Sequence, residues 1–116
     1  MASQANVVIA DEASLSGACG IGSIIGLIVP TLVSAALTFQ VSLDGTNFYD
    51  LYDEAGNEVV IPASTFNRAV AAPLELLEWK YVKVRSGTSA AAVNQTSGPI
   101  TITLMLREPK AAGANR

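Results

Sequence analysis

The chain has 116 residues, the size of one ordinary domain, and half of its residues are hydrophobic while only 15% are charged. This composition predicts a globular domain, and a net charge of −3 without any run of Lys or Arg argues against sequence-independent nucleic-acid binding. With no histidine and one cysteine, the sequence excludes Ser-His-Asp and Cys-His catalysis, His-ligated zinc and an internal disulfide.

Short apolar runs separated by turn residues predict an all-β chain. The predicted strands are, in chain order, 7–10, 23–29, 36–42, 48–52, 58–61, 66–71, 81–85 and 100–106, with one helical turn at 74–78. Alternation is clearest at 36–42 and 100–106, which predicts strands with one buried face. The continuous apolar run 23–29 is instead typical of a strand that is buried on both faces.

This number of strands is roughly what an antiparallel two-sheet sandwich needs. The expected organisation is a flexible N-terminal arm at 1–6, a single β-sandwich domain at 7–107 and a polar C-terminal tail at 108–116. Because arms that become ordered on binding add interface area, deletion of 1–6 is expected to leave the fold intact and weaken assembly.

The uncharged stretch 13–43 is long enough to raise the alternative of a membrane segment. Gly26 and Pro30 interrupt it, the turn signal Asp44-Gly45 ends it, and no basic residues flank it. We therefore expect buried strands here and no association with a membrane.

Two segments resemble parts of the galactose-binding-like (discoidin-type) jelly-roll domains. Thr38-Phe39-Gln40-Val41-Ser42-Leu43-Asp44-Gly45-Thr46-Asn47-Phe48 is similar to their strand-turn-strand, and Trp79-Lys80-Tyr81-Val82-Lys83-Val84-Arg85 is similar to a later strand. The closing strand of that fold would fall at 100–106. The resemblance covers about 27–107 and implies an all-β, antiparallel two-sheet jelly-roll sandwich.

A second resemblance is to small virion proteins of tailed bacteriophages, which are encoded among head and neck genes. The segments that carry it are Ile28-Val29-Pro30, 36–42, Asp44-Gly45, Val82-Lys83-Val84-Arg85-Ser86-Gly87-Thr88 and Asn94-Gln95. It implies a location in the virion and a structural role in capsid decoration, at a vertex or fibre base, or in the head–tail connector. The implied partners are other virion proteins and further copies of the chain. We expect no enzymatic activity and no cofactor, because no nucleophile, base and orienting group can be assembled from these residues.

Acidic residues cluster in the turns around the strand 48–52. Asp44, Asp50 and Asp53 are the candidate calcium ligands, because calcium takes several oxygen ligands from a loop. Their spacing matches no EF-hand, and such residues more often form turns and a solvated face, so we expect no metal.

The candidate contact residues lie on the predicted outward faces of the strands 48–52 and 81–85. Tyr49 and Tyr81 are expected to be exposed, where they could stack on a sugar. Lys83 and Arg85 share a strand face, where they could contact a phosphate or an acidic partner or simply be solvated. Two functions stay open: a virion protein that assembles through 13–43 and the chain ends, or a carbohydrate-binding jelly-roll module of a fibre or surface protein.

Overall fold

The computed structural model describes residues 2–20, 23–30, 36–62, 67–76, 79–95 and 99–107. Within these ranges the chain forms eight strands and one short 3₁₀ helix. The strands are β1 (Ala2–Ile9), β2 (Cys19–Gly20), β3 (Ser23–Val29), β4 (Leu37–Ser42), β5 (Tyr49–Asp50), β6 (Arg68–Ala71), β7 (Tyr81–Ser86) and β8 (Ile100–Arg107), and the 3₁₀ helix is Leu74–Leu76. Among the described residues, no helix is long and apolar enough to cross a membrane.

The strands form two antiparallel sheets of four strands each, which confirms the predicted all-β sandwich. Sheet A has the order β1-β8-β3-β6, and sheet B has the order β2-β7-β4-β5. The second half of the chain pairs antiparallel with the first half, strand by strand. The pairs are β1–β8, β2–β7, β3–β6 and β4–β5. The chain is therefore one long antiparallel ribbon whose successive pairs alternate between the two sheets.

The core lies between the sheets and is built from every second residue of the long strands. In β8, Ile100, Ile102 and Leu104 are buried while Thr101 and Met105 are exposed, as the alternation predicts. In β4 the apolar residues 37, 39 and 41 are buried between the sheets, but Thr38 and Ser42 on the other face are buried too, so the expectation of one buried face is wrong for this strand. Each large apolar side chain that is fully buried contributes about 1.5–3 kcal/mol, so this alternation decides which face of each strand turns inward.

Strand β3 has the predicted bounds but only one buried face. Ile24, Leu27 and Val29 are buried, whereas Ile28 is 51% exposed. A break in register between Ile24 and Gly26 shifts the phase of the strand at that point. The prediction of burial on both faces is therefore wrong, because a continuous apolar run also arises where the outer face of a sheet is itself apolar.

Strand β1 begins at Ala2, so residues 2–6 do not form the expected flexible arm. Every residue of β1 pairs with β8, from Ala2 opposite Arg107 to Ile9 opposite Ile100. The prediction of an arm is wrong here because a ladder is held by backbone hydrogen bonds, which polar residues make as well as apolar ones. The predicted tail 108–116 lies outside the described residues.

The segment 51–61 leaves the edge of β4 and returns to it. The amide of Leu51 donates to the carbonyl of Phe39 at 3.0 Å, and Leu37 and Ile61 exchange two backbone hydrogen bonds of 2.9 Å. Leu51, Val59 and Ile61 are buried against the core. Only isolated pairs form where a strand 58–61 was expected, and the segment is fixed to sheet B at both ends.

Candidate functional site

Tyr81, Lys83 and Arg85 project from the same face of β7, the one that points away from the core. Their alternation predicts this arrangement, and the intervening Val82 and Val84 are fully buried between the sheets. The ladder places the three residues opposite Ser42, Gln40 and Thr38 of β4. The turn at 43–46 and the segment 49–61 lie against parts of this face, so these side chains make internal contacts instead of forming a solvated surface.

Arg85 is the buried centre of a polar network whose acidic members are partly exposed. Its Nη1 donates to Asp50 Oδ1 and its Nη2 to Glu58 Oε2, each at 2.8 Å, and its Nε donates to Thr38 Oγ1 at 3.0 Å. Arg85 is only 6% exposed, and its guanidinium holds the pKa of Asp50 below the ordinary value. The structure therefore gives Arg85 an internal role, tying the segment 49–61 to sheet B, in place of the predicted contact with a partner.

The three candidate calcium ligands lie in separate hydrogen-bonding arrangements. Asp44 Oδ1 accepts the backbone N–H groups of Thr46 and Asn47, which hold the pKa of Asp44 well below its usual range. Asp53 accepts two backbone hydrogen bonds of 2.9 Å from its own turn, and Asp50 pairs with the guanidinium described above. No three acidic or cysteine side chains among the described residues come together as metal ligands.

Tyr81 packs against strand β2 and the turn 43–46 instead of standing free, and Lys83 lies over an aromatic ring. A Cβ atom at Gly20 or Gly45 would lie within 3.3 Å of the Tyr81 ring, so the ring contacts the backbone of both glycines. The φ of Gly45 is 80°, a backbone angle that residues other than glycine rarely adopt. Lys83 Nζ is 4.5 Å from the centroid of Phe48, a cation–π contact. Both predicted contact residues are therefore half-buried, with their side chains already engaged.

A cleft of about 300 Å³ opens beside the turn that follows β4. Its walls are Leu43, Asp44, Asn47, Tyr49 and Trp79, and we call it the aromatic cleft. Tyr49 is 66% exposed, as the sequence predicts. Trp79 packs partly against the core, and it also lines this cleft. Sequence reasoning missed the cleft because Trp79 is far from the turn in sequence.

The outer face of sheet A is uncharged wherever the structure describes its side chains. The residues that point outward are Gln4, Asn6, Val8, Gly26, Ile28, Ala69, Ala71, Thr101, Thr103 and Met105, and we call this surface the outer A face. Val8, Ile28 and Met105 are each about half exposed, at 46%, 51% and 45%. A groove of about 270 Å³ with mostly apolar walls runs along this face, across β3 and β6.

Sequence reasoning did not find the outer A face as a unit. It placed the contact surface in 13–43 and the chain ends, which among the described residues contribute β3 and the outward residues Gln4 and Asn6 of β1 to this face. A local signal existed, since the alternation of β8 marks Met105 as an outward apolar residue. Joining Met105 to Val8 and Ile28 requires the strand order of sheet A, which no local pattern supplies.

Comparisons of the chain with protein-family models, with curated proteins and with solved structures find no match. The two surfaces must therefore be interpreted from their own geometry. One is a small aromatic and polar cleft beside sheet B, and the other is a broad uncharged face of sheet A.

Proposed function

We propose that the chain is a non-enzymatic structural protein of a tailed-phage virion, which assembles with copies of itself through the outer A face. The observation that carries this proposal is a face without described charges that exposes Val8, Ile28 and Met105. The solvent-facing side of an antiparallel sheet is ordinarily polar, and exposed apolar residues that share one such face often mark a protein interaction site. Burial of this face against another protein surface accounts for its composition.

The distribution of charge favours a second copy of the chain as the partner. The net charge is −3, and five acidic residues lie in β5 and in the turns beside sheet B: Asp44, Asp50, Asp53, Glu54 and Glu58. In a twofold dimer each patch meets its own copy, so an acidic face would meet like charge. The described side chains of the outer A face carry no charge, so they can pack against their own copies without this repulsion.

The size of the outer A face indicates weak contacts between pairs of subunits. Four strands about 4.8 Å apart and roughly six residues long give a face of about 20 by 20 Å. Two such faces would bury about 800 Å², below the roughly 1,200–2,000 Å² of standard stable interfaces. Contacts of this size form weakly between free chains and become effective where the copies are already held close together, as on a particle.

The strand order gives a second line of support. The pairing of the first strand with the eighth, the second with the seventh and so on supports a jelly roll, an architecture found in viral capsid and lectin domains. The resemblance of 38–48 and 79–85 to galactose-binding-like jelly rolls agrees with this topology. Placement in a virion depends on the resemblance to tailed-phage proteins, because one fold supports many functions.

The assembly is tested by sedimentation velocity on the wild-type chain and on Ile28→Lys. We expect the wild-type mass to rise with concentration between about 10 μM and 1 mM by mass action, and Ile28→Lys to remain monomeric because it places like charges across the interface. Val60→Lys is the matched control, since Val60 is a 40% exposed valine outside the outer A face. It should associate as the wild type does.

A wild-type chain that stays monomeric throughout this range, or an Ile28→Lys variant that associates normally, would refute assembly through the outer A face. The location is tested separately by mass spectrometry of purified phage particles that carry the gene. Absence of the chain from those particles would refute a virion protein even if the chain self-associates.

A further inference from the structure

Strand β1 is an edge strand of sheet A and differs from the other edge strands of the described sandwich. Strands β2 and β5 have two residues each, and β6 has four, one of which is the charged Arg68. Strand β1 has eight residues without a charge or a proline, and its pairing with β8 shows no break in register. Sandwiches protect their edges with short strands, charges, prolines and bulges. Over its described length, β1 has none of these protections.

The backbone on the outer side of β1 is open among the described residues. The described backbone hydrogen bonds of β1 go to β8, on its inner side. The segment that follows β1 turns to the other sheet, where the amide of Ser16 donates to the carbonyl of Val84. In an antiparallel ladder every second residue directs its N–H and C=O away from its partner. The outer side of β1 therefore carries a row of backbone donors and acceptors.

The nearby edge of sheet B leaves this row accessible. Strand β2 approaches β1 across the sandwich, and residues 17–20 are Gly, Ala, Cys and Gly. A Cβ atom added at Gly17 would have no described neighbour within 4 Å. Because these side chains are small, they do not close over β1, and another strand can reach its backbone.

We infer that the outer edge of β1 pairs antiparallel with β1 of a second copy, which joins two copies of sheet A into one sheet of eight strands. Addition of a strand to an exposed edge is a common mode of recognition, in which main-chain hydrogen bonds supply the affinity. The choice of a second copy as the partner rests on the proposed self-assembly. An uncharged strand can also meet its own copy across a twofold axis without repulsion.

The alternation of β1 restricts the register of this pairing. Val7 is buried, whereas Asn6 and Val8 are exposed. Residues that lie opposite each other in a ladder share a face, so odd-numbered residues must meet odd-numbered residues to keep both cores on one side. A twofold axis through a residue of β1 satisfies this condition. An axis at Ala5 pairs 2–8 with the same residues of the second copy, so almost the whole strand takes part.

Pairing through β1 doubles the outer A face. Two single faces of about 20 by 20 Å bury about 800 Å², whereas two joined faces of about 40 by 20 Å would bury about 1,600 Å², the size of a standard stable interface. A pair of strands alone is marginal in water, so we expect the edge to pair only where the faces also pack. Edge and face together give a closed unit of four chains with three twofold axes.

Hydrogen exchange of the wild-type chain tests the edge without any variant. In dilute solution every second amide of β1 should exchange fast, because it faces solvent. If about nine-tenths of the chains are assembled at about 1 mM, these amides should exchange about tenfold more slowly than at about 10 μM. The outward amides of β6, the other edge of sheet A, are the internal control, and their rates should not depend on concentration.

A proline in β1 tests the same edge by sedimentation velocity. Exchange in the dilute chain shows which of Ala5 and Asn6 has the outward amide, and Ala5→Pro or Asn6→Pro is made accordingly. Proline at an N–H that faces solvent is tolerated in an edge strand, so the ladder with β8 should survive, which circular dichroism checks. The wild type should reach four chains at high concentration, and the proline variant should stop at two.

Concentration-dependent protection of β1, together with this loss of the four-chain species, would establish the edge pairing. A wild-type chain that forms dimers without any change in the exchange of β1 would overturn the edge pairing and leave the proposed assembly standing. A proline variant that is folded and assembles as the wild type does would also overturn it. A wild-type chain that stays monomeric would refute the proposed assembly and the edge pairing together.

Discussion

Replacing Arg85 with alanine should destabilise the sandwich by about 2–4 kcal/mol, because it leaves Asp50 and Glu58 without their cation. Removing one partner of a fully buried ion pair costs about 3–5 kcal/mol. The Glu58 side chain is 12% exposed and the Asp50 side chain 36%, so water can solvate Asp50 in the variant but can hardly reach Glu58. Most of the expected loss therefore comes from Glu58, and the total stays below that of a fully buried pair.

Urea unfolding followed by the fluorescence of Trp79 measures this loss. With a slope of about 1–3 kcal/mol per molar urea, the midpoint should fall by roughly 1–3 M. Lys83→Ala is the matched control, because Lys83 lies on the same face of β7 but makes a half-buried cation–π contact worth only about 0.5–1 kcal/mol. If Arg85→Ala costs no more than Lys83→Ala, the network does not hold the segment 49–61, and Arg85 becomes a candidate for partner contact again.

The stability of the wild type and that of Arg85→Ala should depend differently on pH in the acid range. Arg85 lowers the pKa of Asp50 in the folded state, so the associated stabilisation is present above the unfolded pKa of about 3.9 and is lost as the pH falls through the folded value. The gap in unfolding free energy between the wild type and Arg85→Ala should therefore narrow below about pH 4. A gap that stays constant from pH 7 to about pH 3 would contradict the ion pair with Asp50.

Three further changes test the fold and the turn beside the cleft. Gly87→Ala should lower the free energy of unfolding, measured by thermal unfolding, by about 2–5 kcal/mol, because φ is 92° and the added Cβ would lie 2.5 Å from a backbone carbonyl oxygen. Gly56→Ala is the control: φ is 91° but the added Cβ meets open space, so the loss should be about 1–2 kcal/mol. Deleting 1–6 should lower the unfolding midpoint by circular dichroism, since it removes five of the eight pairs between β1 and β8; an unchanged midpoint would restore the flexible arm. Asp44→Ala should speed hydrogen exchange of the two backbone amides that donate to it, and unchanged rates would contradict its role in the turn.

The parts of the fold that the sequence predicts are those that depend on neighbouring residues only. The alternation at 36–42 and 100–106 identifies both β4 and β8 and their inward faces, because the period of two is a local property of a strand. Residues 2–6 escaped prediction because their polar side chains give no periodic signal. Their strand exists because β8 offers an edge that lies about one hundred residues away in sequence.

The candidate site was harder to predict because burial of a polar side chain depends on distant partners. Alternation alone places Arg85 on the outward side of β7, and that position is correct. Whether this side faces water depends on Asp50 and Glu58, which are 35 and 27 residues away and are brought across β4 by the segment 49–61. The exposure of Tyr49 was predictable from its strand. The position of Trp79 beside it was not, because the two residues are distant in sequence and meet only in the folded chain.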